Sequence, residues 1–206
     1  MITDTKAAVN DPFIFILAIC ALLFVLIIFF MVFFVVRYRR SRSPHAANIS
    51  GNVLLEAAWI LGATLIVLPM FFYAYLGFQY LRVPPKDGMQ VTVIARQWSW
   101  LFQYENGLKS GDLVVPQGVN VILTTESLDV IHGFFVPHFR IKQDVVPGMH
   151  NKVWFKSTDL GTFDLLCSQY CGQEHSKMLA KVAVVPKDLF DKWYNGEDVQ
   201  IPGLDE

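Results

Sequence analysis

The residues best suited to chemistry lie in one segment of twelve residues, from Cys167 to Met178. This segment carries two cysteines, a histidine and a methionine in the spacing Cys-x3-Cys-x3-His-x2-Met. Thiolate and thioether are soft ligands that suit Cu(I), and imidazole binds copper in both of its oxidation states. Zinc is disfavoured, because the segment lacks the usual close pair of cysteines and thioether is a poor zinc ligand. The pattern therefore predicts a copper site.

Each of these residues also has a simpler explanation when it is taken alone. Cys167 and Cys171 could form a disulfide in an oxidising compartment. His175 could be an ordinary surface histidine, and Met178 could pack in the core. Neither a disulfide nor a core requires a histidine and a methionine at these offsets, so the joint spacing favours a metal. Cys20, inside an apolar stretch, is expected to be an inert packing residue.

A copper loop of this kind needs another imidazole from a neighbouring strand. His132 is the best candidate, because it stands at the end of a predicted strand, just before a break. His138 and His150 are weaker candidates, and the membrane topology below excludes His45. One cysteine, two histidines and one methionine would make a mononuclear blue-copper site. Two thiolates can instead bridge two copper ions, so that one unpaired electron is shared by both metals. The geometry of such a site changes little when an electron arrives or leaves, which suits fast one-electron transfer.

The elements that position these ligands begin with two apolar stretches. Phe13 to Val36 carries no charge and is long enough to cross a hydrocarbon core of roughly 30 Å. A cleaved signal peptide is disfavoured there, because the stretch is about twice as long as the apolar region of a signal peptide and no small-x-small cleavage site follows. A second stretch runs from about Val53 to Phe78, with Pro69 inside it. Residues 1–86 are therefore predicted to form a transmembrane hairpin.

The polar residues at the hairpin turn predict its orientation. The loop between the stretches carries Arg37, Arg39, Arg40 and Arg42. By the positive-inside rule this loop lies in the cytoplasm, and both termini lie on the opposite side. Glu56, near the start of the second stretch, has two interpretations. It either lies in interfacial water at the helix end or admits protons to a path in a partner.

Residues 87–206 read as an all-β domain, a sandwich or small barrel, followed by a short helix from Lys187 to Tyr194. The domain has 15 acidic and 10 basic residues, which fits either a basic partner or solubility alone. The whole chain is 53% hydrophobic with a net charge of -1, which excludes disorder and argues against nucleic acid binding. The predicted strands are 90–96, 98–104, 119–125, 130–136, 152–156, 162–166 and 180–185.

These features resemble subunit II of the haem-copper respiratory oxidases, of the cytochrome c oxidase type with a binuclear copper-A centre. The resemblance covers nearly the whole chain and implies an N-terminal two-helix transmembrane hairpin followed by an all-β cupredoxin-like sandwich domain. Beyond the copper loop it rests on short motifs, which are Glu56-Ala57-Ala58-Trp59, Gln97-Trp98-Ser99-Trp100, Asp129-Val130-Ile131-His132, Val136-Pro137, Lys142-Gln143-Asp144 and Pro147-Gly148.

The resemblance implies roles for individual residues. Trp98 would be the aromatic through which an electron enters, although a tryptophan on a strand also suits core packing. Asp129 would belong to the docking face for cytochrome c, and Glu56 would stand at the mouth of a proton pathway. The copper ligands would be the bridging Cys167 and Cys171, with His132, His175, Met178 and the backbone carbonyl of Gln169.

Three positions depart from the family pattern. The family usually has glutamate where Gln169 stands, and that glutamate helps to hold magnesium or manganese at the contact with subunit I. A neutral amide is a weaker ligand for a hard cation. Gln169 therefore gives less support for a magnesium or manganese ion at this contact than the family's glutamate would. Ser99 replaces a common aromatic residue, and Met149 replaces a frequent arginine, which alters the expected docking and interface contacts.

Oxygen reduction requires haem iron and a second metal held by histidines, and neither apolar stretch contains a histidine. The resemblance therefore implies the electron-input subunit of an oxidase, with haem and the second copper in subunit I. Expected partners are subunits I and III, cytochrome c or a haem-bearing donor complex, and membrane lipid. The expected location is a bacterial plasma membrane with the domain in the periplasm or on the outer face, or alternatively a mitochondrial inner membrane.

Two alternative functions stay open at this point. A copper-A subunit of a nitric oxide reductase would share every feature above. A membrane-anchored copper chaperone also binds Cu(I) through Cys-x3-Cys and a histidine, but it would have one helix, a thioredoxin-like pattern and a distant histidine.

Overall fold

The computed structural model describes residues 2, 4–45, 48 and 50–204. The chain divides into two compact units, one of Val9–Phe78 and one of Met1–Ala8 with Gln79–Glu206. Two long helices, α1 (Thr5–Arg37) and α2 (Val53–Arg82), are each long and apolar enough to cross a membrane. Each predicted apolar stretch lies inside one of them, and α1 begins well before Phe13.

The start of α2 is fixed by a capping side chain. The Asn52 side-chain carbonyl accepts hydrogen bonds from the backbone N–H groups of Leu54 and Leu55, both at 3.1 Å. Such a cap satisfies amide groups that have no partner within the helix. Glu56 lies in the first turn, where a carboxylate interacts favourably with the positive end of the helix dipole.

The second unit contains a β-sandwich of two five-stranded sheets. The strands are β1 (Met89–Arg96), β2 (Ser99–Tyr104), β3 (Lys109–Ser110), β4 (Leu113–Pro116), β5 (Asn120–Ser127), β6 (His132–Val136), β7 (Ile141–Val145), β8 (Asn151–Lys156), β9 (Gly161–Cys167) and β10 (Leu179–Val185). The first sheet has the order β3-β2-β1-β5-β8 and the second β4-β10-β9-β6-β7, with β1–β5 and β4–β10 parallel and the other pairs antiparallel. A short helix, α3 (Lys187–Tyr194), follows the last strand as predicted.

The seven predicted strands are present with shifted ends, and three further strands were missed. β3 is only two residues long, and β4 ends in a proline, so neither gives a sequence signal. β7 alternates buried and exposed positions over only five residues, three of them polar. Such short strands form because neighbouring strands offer them hydrogen bonds, so their own composition does not predict them.

Side chains from both sheets form one continuous core between them. Phe102 from the first sheet and Phe134 and Leu165 from the second are fully buried. The Tyr104 hydroxyl is also buried, where it accepts a hydrogen bond from the Val114 N–H at 2.8 Å and donates one to the Val114 carbonyl at 3.0 Å. This hydroxyl ties the β2 end to the otherwise short strand β4.

The chain before residue 9 belongs to the same unit as the sandwich. The Thr5 hydroxyl is buried and donates a hydrogen bond to the Phe139 carbonyl at 3.1 Å. The Lys6 ammonium pairs with the Asp159 carboxylate, which also accepts a hydrogen bond from His138 at 2.8 Å. The first turn of α1 is therefore held on the β-domain by one buried hydrogen bond, from Thr5, and one ion pair, from Lys6.

Candidate metal centre

The loop between β9 and β10 carries most of the predicted ligands. Cys167 is the last residue of β9, and Met178 immediately precedes β10. The Cys167 N–H donates a hydrogen bond to the Met178 carbonyl at 3.3 Å, which closes the loop at its base. The next pair in the ladder is Leu166 opposite Leu179. The loop is therefore a closed connection between two adjacent antiparallel strands.

His132 reaches the same place from the neighbouring strand β6. It is the first residue of β6, and Phe134 two positions later pairs with Cys167 of β9. The imidazole is fully buried, and its Nε2 lies 2.8 Å from an Asp129 carboxylate oxygen. Among the described residues, His132 Nδ1 has no hydrogen-bond partner. A buried nitrogen without a partner is costly unless it binds something, so this atom is free to ligate a metal.

The donor atoms converge on one small volume. One ligand atom from each of His132, Cys167 and Cys171 lies within 4.8 Å of the others. The two sulfur atoms are 3.8 Å apart, so the cysteines are free thiols rather than a disulfide. Cys171 Sγ lies 3.6 Å from His175 Nδ1 and 3.8 Å from Met178 Sδ. The alternative explanations for these residues, taken one at a time, do not account for this convergence.

The backbone of Gln169 also faces the site. Its carbonyl oxygen lies 3.2 Å from Cys167 Sγ, whereas Gln169 as a residue is exposed. Burial, followed by the adjacent Cys167 thiol, raises the pKa of Cys171 to about 11. A bound cation favours the thiolate over the thiol, so a metal would compensate for this cost.

Asp129 occupies a position that the sequence did not reveal. Its carboxylate accepts hydrogen bonds from His132 Nε2 at 2.8 Å and from the backbone N–H groups of Gln97 at 2.7 Å and Val130 at 2.6 Å. Burial acts to raise the pKa of Asp129, but the bonds from His132, Gln97 and Val130 outweigh it and lower the pKa. The place of Asp129 on a docking face stays a prediction. Its hydrogen bond to Nε2 holds the His132 ring in position.

Trp98 lies directly against the loop. A Cβ placed on Gly172, whose φ is +126°, would come within 3.1 Å of the Trp98 indole nitrogen. The neighbouring Gln97 donates a side-chain hydrogen bond to the Cys171 carbonyl at 2.8 Å. Trp98 is half-buried and packs against the domain core, and its indole nitrogen is buried. This placement is compatible with its predicted role in electron entry.

Gly133, Gly172 and Trp100 also pack at the site, although the sequence did not predict a role for them. A Cβ on Gly133 would lie 2.3 Å from Ser168 Oγ and 2.9 Å from the Gln169 nitrogen. Glycine is therefore required where β6 meets the loop. Trp100 packs its ring edge-on against His132 at 6.1 Å between centroids. The adjacent pairs His132-Gly133 and Cys171-Gly172 were the only sequence signal for these close approaches.

The remaining predicted positions lie outside this cluster. Glu56 is exposed in the first turn of α2, which fits both interpretations given above. The Ser99 hydroxyl accepts a hydrogen bond from the Arg96 guanidinium at 3.1 Å. Met149 is 51% exposed, so the replaced arginine position faces solvent in this chain.

The donor set and its frame together define a class of protein. Two free thiols, two imidazoles and a thioether are gathered by a strand end and a hairpin loop at one end of a β-sandwich. Soft donors of this kind suit copper. The second unit is therefore a cupredoxin-like metal-binding domain.

Comparisons with known proteins identify the family. A model described as the periplasmic domain of cytochrome c oxidase subunit II matches residues 109–185. The alternative cytochrome c oxidase subunit 2 of Bradyrhizobium diazoefficiens is 30% identical, over 85% of this chain and 75% of that protein. The cytochrome c oxidase subunit 2 of Thermostichus vulcanus is 29% identical, over 93% of this chain and 75% of that protein. This chain belongs to the cytochrome c oxidase subunit II family.

Solved structures agree with this assignment. The crystal structure of the periplasmic domain of subunit II of cytochrome oxidase from Bradyrhizobium japonicum superposes with a TM-score of 0.53 at 27% identity. It covers 55% of this chain and 95% of that domain. A second structure of such a domain, in a mixed disulfide with a thioredoxin-like protein, gives a TM-score of 0.50, also at 27% identity. The predicted combination of a helical hairpin and a cupredoxin-like sandwich is confirmed.

Proposed function

We propose that this chain is the electron-input subunit of a respiratory haem-copper oxidase. It accepts electrons one at a time from cytochrome c and passes them to haem in subunit I, where oxygen is reduced to water and protons are pumped. The observation that carries this proposal is the unpartnered Nδ1 of buried His132 beside two free thiols. No oxygen-reducing site is assigned to this chain, and its role is to deliver electrons.

The residues present fit a binuclear copper centre. Cys167 and Cys171 would hold both ions, His132 and His175 one each, with Met178 and the Gln169 carbonyl completing the set. Two copper ions held in this way would supply one-electron redox chemistry. The protein keeps the ligands in place through the β6–β9 pairing and the closed loop, and it excludes water through burial of Cys171 and Met178.

The surroundings of the site support a path for electron entry. The indole of Trp98 contacts the loop at Gly172, and the exposed side chain of Tyr170 lies close to His175, with ring centroids 5.7 Å apart. An aromatic ring between the surface and the ligands shortens the distance that an electron must cross. We propose Trp98 as the entry residue and the surface that includes Asp129 as the docking face for the donor.

The membrane part is proposed to serve anchoring and assembly. Residues 1–86 form the transmembrane hairpin, with both termini on the periplasmic side, and residues 87–206 form the copper domain. The four loop arginines support this orientation. Subunits I and III would contact the hairpin within a bacterial plasma membrane, and Glu56 would admit protons from the cytoplasmic side. We assign no magnesium or manganese to Gln169, because its neutral amide is a weak ligand for hard cations.

The alternatives are less well supported. The relatives bear the name cytochrome c oxidase subunit 2, which favours oxygen over nitric oxide as the terminal acceptor. Two helices and a β-sandwich also disagree with the single helix and thioredoxin-like fold expected of a copper chaperone.

The decisive experiment loads the full chain with copper in detergent and records metal content with electron paramagnetic resonance spectra. We expect two copper ions per chain and a seven-line hyperfine pattern, both lost in Cys167→Ser and Cys171→Ser. Cys20→Ser is the matched control, because it makes the same chemical change within α1 and should leave the spectrum unaltered. One spectroscopically silent Cu(I), released readily to an acceptor protein, would overturn the proposal in favour of a chaperone.

A further inference from the structure

The C-terminal half of α1 bears a groove that the electron-transfer role does not use. Five apolar side chains between Ile28 and Val36 line it, at positions one and four residues apart, so they share one face of the helix. The groove has a volume of about 440 Å³. The rings of Phe29 and Phe33 stack along it with centroids 6.2 Å apart. This is an elongated apolar surface closed at one end by polar groups.

Two arginines stand at that polar end. Arg37 is the last residue of α1, and Arg42 returns to the groove from the following loop. The return is made by a turn in which the Arg39 carbonyl accepts the N–H groups of Arg42 at 2.8 Å and Ser43 at 3.0 Å. Arg39 and Arg40, in the same turn, do not line the groove.

The positive charge at this end has no acidic residue near it in the sequence. The sequence contains no acidic residue between Asp11 and Glu56. In the part of the chain that the structure describes, neither Arg37 nor Arg42 has a carboxylate within ion-pair distance. The guanidinium carbon of Arg37 lies 5.2 Å from the centroid of the Tyr38 ring. Among the described residues, no carboxylate therefore balances the charge of the two guanidinium groups at this end of the groove.

We propose that this groove binds one anionic phospholipid, with its phosphate between Arg37 and Arg42 and an acyl chain along the apolar face. Guanidinium groups match phosphate oxygens in geometry and keep their charge at all relevant pH values. Basic pockets at the membrane surface bind anionic head groups. The apolar side chains of the groove would contact an acyl chain, which a soluble phosphate does not have. The proposal depends on the hairpin lying in a membrane and does not depend on the metal centre.

The test uses the full chain in nanodiscs of phosphatidylcholine with a small fraction of phosphatidylglycerol, and native mass spectrometry counts the retained lipids. We expect one phosphatidylglycerol per chain to be retained in preference to phosphatidylcholine. Arg37→Gln with Arg42→Gln should weaken this preference at least about tenfold, since each arginine near the surface contributes to anionic lipid binding. Circular dichroism checks that every variant stays folded, independently of copper.

A matched double variant separates a site from general surface charge. Arg39→Gln with Arg40→Gln removes the same charge from the same loop and should leave the preference intact. Val32→Trp keeps all four arginines but fills the groove, and it should abolish retention. Equal losses in both double variants, unchanged binding in Val32→Trp, or displacement of the lipid by inorganic phosphate would each overturn the proposal.

Discussion

The carboxylate of Asp129 lies 2.8 Å from Nε2 of His132, on the opposite side of the ring from the unpartnered Nδ1. This contact fixes which ring nitrogen carries the proton and leaves Nδ1 for the metal. The same carboxylate is itself held by two backbone N–H groups, from Gln97 and Val130. A surface acid and a buried imidazole are thereby joined into one rigid arrangement.

Replacing Asp129 should weaken both the fold and metal binding. In Asp129→Ala the buried His132 Nε2 loses its partner, at a cost of about 1–3 kcal/mol in the free energy of unfolding. Copper affinity should fall by roughly 10- to 100-fold, as for other residues that orient a metal-bound histidine. Thermal unfolding and copper titration measure the two effects. Asp87→Ala, which removes an exposed carboxylate from the domain, should change neither, and equal effects in both variants would refute the orienting role.

A methyl group at Gly133 should disturb the loop more than the sandwich. In Gly133→Ala the new Cβ would lie 2.9 Å from the Gln169 backbone nitrogen, so the loop must shift. We expect a destabilisation of about 1–3 kcal/mol and a changed copper spectrum. Gly111→Ala is the control, because a Cβ there has no neighbour within 4 Å. An unchanged spectrum in Gly133→Ala would show that the ligands tolerate displacement of the loop.

Tyr104 allows the fold to be weakened without touching the site. Burial raises the pKa of Tyr104, and its hydroxyl serves both backbone groups of Val114. Tyr104→Phe leaves a buried donor and a buried acceptor unpaired, so we expect a loss of about 1–3 kcal/mol in chemical denaturation. The copper spectrum should be unaltered. Tyr170→Phe, at a residue that is 78% exposed, should leave stability unchanged.

Acid should release the first turn of α1 from the β-domain. Hydrogen bonds from Lys6, then His138, lower the pKa of Asp159 in the folded chain. A carboxylate whose folded pKa lies below its unfolded value stabilises the fold above the unfolded value, and this stability is lost as the pH falls through the folded value. Amide hydrogen exchange of residues 5–8, corrected for intrinsic rates, should therefore rise as the pH falls from about 5 to about 3.

The magnitude of this pH effect should be small, because the Lys6 and Asp159 side chains are 25% and 43% exposed. Solvent screening keeps such pairs below about 1 kcal/mol. Asp159→Asn should show the faster exchange already at neutral pH and little further change with acid. A pH response that persists in Asp159→Asn would place its origin in another group.

The sequence predicted those parts of the site whose residues are close together along the chain. The spacing from Cys167 to Met178 predicted a soft metal site, and His132 was proposed because such a site needs a further imidazole. The contact between Gln97 and the Cys171 carbonyl joins residues 74 positions apart, and no local pattern announces it. The role of Gly133 depends on the register between β6 and β9, which only the folded sheet sets.

In the fold, too, the elements set by neighbouring residues were predicted, and those set by distant strand partners were not. The two apolar helices follow from the length of uncharged apolar runs, and α3 follows from its start after Pro186 and its end at Asn195-Gly196, which are all local properties. Strands β3 and β4 carry too few residues for a pattern, and they exist because β2 and β10 offer them hydrogen bonds. Asp129 was expected at a surface, and the turn that brings it to His132 three residues later gave no separate signal.

The pairing of β6 with β9 also orders the events of folding. An unfolded chain already holds the thiols, His175 and Met178 within one short segment, so that segment can capture a soft metal ion early. His132 joins this segment only when β6 and β9, which are not neighbours along the chain, have paired. A complete set of ligands is therefore a product of the finished sheet. The metal-bound spectrum consequently reports that β6 and β9 have paired.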